Sequence, residues 1–65
     1  MQDTPEWFIA AERVGLRLEE IALLTDLSYS AVYRYKTGTR KPTPEWVRMV
    51  MALVRSRELR GGTAA

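Results

Sequence analysis

The tetrapeptide Thr-Pro-Glu-Trp occurs twice, at residues 4–7 and 43–46, and each copy reads as a helix start. Threonine can cap, proline fits the first turn without losing a hydrogen bond, and glutamate favours the positive end of the helix dipole. The flanks of the two copies share too little to make a true repeat. Between and after them no stretch alternates with a strict period of two, so strands are not expected and short helices are the regular structure that remains.

The apolar spacing divides the chain further. Trp7, Ala10, Ala11 and Val14 recur at helical intervals before Gly15, a left-handed terminator, so the first helix should end near Val14. Leu18, Ile21, Ala22 and Thr25 mark a short second helix from about Leu18 to Leu24 or Thr25. Asp26-Leu27-Ser28 then forms a turn: aspartate tolerates the left-handed region, Leu27 can plug the angle between helices, and Ser28 is a favoured N-cap. In the helix that follows, Ala31, Val32 and Tyr35 face inward and Tyr29, Ser30, Tyr33 and Arg34 outward. Gly38 closes it after Thr37, and the extended Thr39-Arg40-Lys41-Pro42 leads to the last helix, from about Pro44 to Arg57 or Leu59. Its apolar residues Trp46, Val47, Met49, Val50, Met51, Leu53 and Val54 cover an arc of about 200°, wider than a surface helix needs, with Arg48 and Arg55 on the remaining polar face. The expected fold class is all-α: four helices, with room for a short fifth turn near Ser56, in one domain over residues 1–60. Residues 61–65 are expected to be a frayed tail.

Composition excludes several functions. With 65 residues and neither cysteine nor histidine, tetrahedral zinc sites, thiol nucleophiles, disulfides and imidazole chemistry are absent, and no enzyme, metal, cofactor or small-molecule site is expected. No uncharged run approaches the roughly 20 apolar residues that span a bilayer, and no basic–apolar leader opens the chain, so a cytoplasmic protein is expected. A domain this small buries about 60% of its unfolded surface, which makes a partner subunit plausible. Charge is uneven: residues 1–26 sum to −4 and residues 27–65 to +6. Residues 27–44 carry Arg34, Lys36, Arg40 and Lys41 with no acid, interleaved with Tyr29, Tyr33 and Tyr35. Such a segment suits a polyanion, although a solvated basic face has the same composition.

Two short helices joined by a tight turn, followed by a cationic loop, form a helix-turn-helix, a motif that seats its second helix in the DNA major groove. The stretch from Leu18 to Pro42, LEEIALLTDLSYSAVYRYKTGTRKP, resembles the Cro/C1-type (XRE-like) family of small phage and bacterial repressors, on Ala22, the turn at Asp26, Ser28, Val32, Arg34-Tyr35, Gly38 and Arg40-Lys41-Pro42. Small anti-CRISPR-associated regulators are similar too. The resemblance covers about 25 residues and implies a lambda-repressor-like domain with its motif at about 17–38, binding operator DNA in a bacterial host. Two positions depart from the family. Leu18 stands where glutamine often contacts a phosphate, leaving Arg17 and the helix N-terminus as the replacement anion contact; Asp26 stands where glycine is frequent.

The expected base contacts are Tyr29, Ser30, Tyr33 and Arg34. Arg34 either pairs with guanine O6 and N7 or bridges to a phosphate; Tyr29 either meets a thymine methyl or a phosphate, or is an ordinary half-exposed tyrosine. Arg17, Ser28, Lys36, Thr37, Arg40 and Lys41 are the expected backbone contacts, which position without reading sequence. Trp7, Trp46 and Tyr35 are expected to pack inside or at an interface. The surplus apolar arc of the last helix suggests a homodimer through Trp46, Met49, Val50 and Leu53, setting half-sites of an inverted repeat about 34 Å, or about 10 base pairs, apart. The functional expectation is a sequence-specific, double-stranded DNA-binding repressor. The rival is a protein-interaction module, an antitoxin or inhibitor using the apolar last helix; an RNA binder is weaker, since base-stacking modules expose their rings on sheets or loops.

Overall fold

Helices form where the apolar spacing places them: α1 over Glu6–Arg13, α2 over Leu18–Leu24, α3 over Tyr29–Thr37 and α4 over Pro44–Leu59. The computed structural model describes residues 4–60, and the expected tail at 61–65 lies outside the described residues. There is no fifth helical turn near Ser56, because α4 runs unbroken through it. Helix α1 starts one residue later than the sequence suggests. Pro5 is extended and its carbonyl accepts from the N–H groups of Phe8 (3.1 Å) and Ile9 (3.2 Å), so Pro5 occupies the N-cap, and among the described residues Thr4 makes no capping bond.

The same device ends α1 and α2. Gly15 (φ 74°) and Asp26 (φ 61°) are both left-handed, and each is followed by a leucine whose N–H reaches back five residues: Leu16 to the Ala11 carbonyl (2.8 Å) and Leu27 to the Ala22 carbonyl (3.0 Å). Such a reversal satisfies terminal carbonyls and turns the next apolar side chain inward. Leu16 is accordingly buried, and Leu27 packs against the core. Leu16 completes an interior whose other members, Trp7, Ala10, Ala11, Ile21, Ala22, Val32, Trp46, Val50 and Val54, come from all four helices.

Helix α1 packs against α4, and α2 against α3. The first pair is joined by Trp7 and Trp46, whose rings meet edge to face with centroids 4.9 Å apart. Tyr35 brings α3 onto the same cluster, 4.8 Å from Trp46. Both indole N–H groups are buried without a hydrogen-bond partner, a penalty of about 1–3 kcal/mol each that ring burial must outweigh.

Two of the four residues expected at a dimer interface are instead interior. Val50 is completely buried and Trp46 nearly so, because the first three helices cover the middle of the apolar arc. Leu53 is half-buried against the core, and Met49 is 47% exposed. Met51, 40% exposed, emerges about 160° away from Met49 round the helix. The apolar excess of α4 is thus divided between two edges.

Candidate nucleic-acid interface

Helix α3 is held at both ends by bonds its own sequence supplies. At the start, the Ser28 hydroxyl accepts the Ala31 N–H (3.1 Å), leaving its proton free for an outside acceptor. At the end, the Arg34 carbonyl accepts from Gly38 N–H (3.1 Å), Arg40 N–H (3.2 Å) and the Thr37 hydroxyl (3.3 Å). Gly38 is left-handed (φ 88°). These bonds fold the loop back onto the helix and fix Arg40 beside its C-terminus.

Inward anchorage comes from Val32, the one fully buried side chain of α3, with Ala31 and Tyr35 half-buried on the same side. The opposite side exposes Tyr29, Ser30, Tyr33 and Arg34, as the spacing predicts. Tyr29 and Tyr33, one turn apart, stack with centroids 6.3 Å apart and planes 22° from parallel. The Arg34 side chain makes no hydrogen bond or ion pair among the described residues. Arg40 and Lys41 are exposed beyond the end of the helix. A cationic fork and two phenols thus sit on one helical face, with further cations at its C-terminal end.

Two of the expected backbone contacts are engaged internally. The Lys36 ammonium lies 4.8 Å from the Phe8 ring centroid and 5.6 Å from that of Tyr33, tying α3 to α1 by a cation–π contact. Thr37 shares a 2.9 Å hydroxyl contact with Thr39 besides its bond to Arg34, so it stiffens the loop. Phe8, which the sequence reading passed over, is what holds Lys36; its place one residue after Trp7, at the edge of the α1 stripe, is the signal that could have marked it.

The α2 N-terminus carries a carboxylate cap. Arg17 is exposed there, but its N–H is taken by the Glu20 carboxylate (3.1 Å), and Glu20 also accepts from Arg57 (3.2 Å). The Arg17 backbone N–H, and secondarily the Arg57 guanidinium, hold Glu20 below its ordinary value of 4.5. A carboxylate therefore satisfies the N-cap N–H and places a negative charge at the first turn of α2. Glu12 and Glu19 line a cleft with Arg17 and Tyr29, and they bound the basic surface at the first turn of α3. Among the described residues no His, Cys, Asp and Glu group is arranged to hold a metal ion, and no helix is long and apolar enough to cross a membrane. No family model, no curated protein and no solved structure matches the chain.

Proposed function

We propose that the chain binds double-stranded DNA with the exposed face of α3 in the major groove and acts as a repressor by covering a promoter in the bacterial cytoplasm. The observation that carries the reading is the union, on one capped helix, of an unpaired Arg34 and exposed Tyr29, Ser30 and Tyr33, beside an acid-free loop bearing Arg40 and Lys41. Arg34 has the donor geometry for guanine O6 and N7, while the tyrosines offer rings for thymine methyls and hydroxyls for phosphates. Ser28, Arg40 and Lys41 suit the phosphate backbone. The repressor role rests on the family resemblance, because groove binding alone does not distinguish repression from activation.

A second copy completes the reading. Leu24, 55% exposed, shares a cleft with Leu53, and Met49 lies on the same edge of α4 one turn before Leu53. Pairing through this edge would set two α3 helices for an inverted repeat with half-sites about 10 base pairs apart. The test is selection of bound duplexes from a random pool, with sedimentation of the wild type and Met49→Lys. An enriched inverted repeat and a dimer lost in the variant are expected. Binding without sequence enrichment overturns the specific reading, and a wild-type monomer on the selected duplex overturns the pairing.

A further inference from the structure

The side of the molecule away from α3 carries a second basic surface of different character. A groove of about 530 Å³ between α1 and α4 is lined by Ala10, Met51 and Ala52 and by Arg13, Arg48 and Arg55. All three guanidinium groups are exposed, and none takes part in a hydrogen bond or ion pair among the described residues. Among the described residues, Glu58 is the one acid on the rim.

The groove is separate from the α3 face. On α1, Phe8 reaches Lys36 of α3, whereas Arg13 lies about 140° further round the same helix. On α4, Trp46 meets Tyr35 of α3, whereas Arg48 and Arg55 point to the opposite half of the helix, about 160–180° away from Trp46. No α3 residue lines the groove. It can therefore be occupied while α3 is engaged.

We propose that this groove docks an acidic amphipathic helix of another protein. Arg48 and Arg55 are seven residues apart, about 10 Å along the axis, with Met51 midway. An incoming helix with two carboxylates two turns apart and an apolar side chain between them matches that spacing, its apolar residue resting on Met51 and Ala52 and its acids meeting the arginines. Arg13 supplies a third cation from the facing helix. Phosphate backbone is the poorer occupant, because an exposed methionine and alanine between the cations give it nothing to bond.

The test uses the full chain and an 18-residue synthetic helical peptide with two glutamates seven residues apart and leucine midway, beside its glutamine counterpart. Binding is followed by titration with the methyl NMR signals of Met51, Ala10 and Ala52. The glutamate peptide should shift those signals, and both the glutamine peptide and the Arg48→Ala, Arg55→Ala double variant should weaken binding by about two- to thirtyfold, as two lost surface ion pairs imply. Circular dichroism checks that the variant keeps its helices; the glutamine peptide decides on the wild type alone. Equal binding of the two peptides, or no shift at these methyls, overturns the proposal. A shift of the Met51 methyl by random-sequence duplex but not by the peptide makes the groove a phosphate surface and also overturns it. The outcome is independent of whether α3 binds DNA.

Discussion

Helix α3 buries one side chain and α4 buries three, yet α3 carries the candidate interface. Of the nine residues of α3, Val32 is the anchor; Tyr29, Ser30, Tyr33 and Arg34 are left to solvent. Helix α4 spends Trp46, Val50 and Val54 on the core. A helix that must enter a groove cannot bury its reading face, so its position depends on end bonds and neighbours. Ser28, the Arg34 carbonyl and the Lys36–Phe8 contact supply for α3 what buried area supplies for α4. The difference separates two kinds of substitution.

The largest expected effect is on the scaffold side. Trp46→Ala removes the ring shared by Trp7 and Tyr35 and should destabilise by about 3–5 kcal/mol. For a domain of this size the total is on the order of 3–10 kcal/mol, so thermal unfolding by circular dichroism should show a large loss of stability. Tyr29→Ala should shift the same curve by less than about 0.5 kcal/mol, as an exposed substitution does. Comparable losses would erase the distinction between the two helices.

Next in size is recognition. Arg34→Ala should weaken binding to a selected duplex by about 1–3 kcal/mol and relax preference at one base position, whereas Lys41→Ala should weaken all duplexes alike and flatten the salt slope by about 0.9. Equal losses for Arg34→Ala on selected and random duplex would make that residue a phosphate clamp.

The caps sharpen the comparison. Thr43 accepts the Trp46 N–H (3.1 Å) at α4 as Ser28 accepts that of Ala31 at α3, and replacing either with alanine should cost about 1 kcal/mol of stability. Only Ser28→Ala should also weaken DNA binding beyond its effect on folding, measured on duplex at a temperature where both variants are folded.

The smallest effect concerns pH. Glu20 has a lowered value in the folded chain, so its contribution is present above the ordinary 4.5 and fades as pH falls through the lower folded value. Its side chain is 41% exposed and its pair with Arg57 is partly screened, so the contribution should be modest. Glu20→Gln should lower the melting temperature slightly at pH 7, and the gap from wild type should close in acid; a constant gap would show that the carboxylate's charge is irrelevant.

Much of the fold is legible because its punctuation is local. Gly15, Asp26 and Gly38 stand where a left-handed residue is required, and Ser28 caps through a bond to a residue three positions on. The outward set of α3 follows from helical period alone. The state of α4 was not legible, since a period counts apolar residues without counting the neighbours available to cover them. Trp46 and Val50 went to the interior because the other helices cover the centre of the arc, and Met49 and Met51 remained at its two edges. Nor could spacing reveal that Lys36 turns toward Phe8, 28 residues earlier.

The repeated Thr-Pro-Glu-Trp draws the line between the two kinds of information. By itself the sequence determined that both copies open a helix, and the period placed each tryptophan on the apolar stripe; Trp7 and Trp46 are both buried. The tertiary structure decided the caps. Thr43 is delivered by a loop tied back through the Arg40 N–H to the Arg34 carbonyl, and it caps α4 with Pro44 as the first helical residue. Thr4 has no such tie among the described residues, and the helix begins after Pro5 instead. Identical local propensities thus give different helix starts, because a cap depends on backbone geometry, which at Thr43 is set by a loop held to α3 and is not contained in the tetrapeptide.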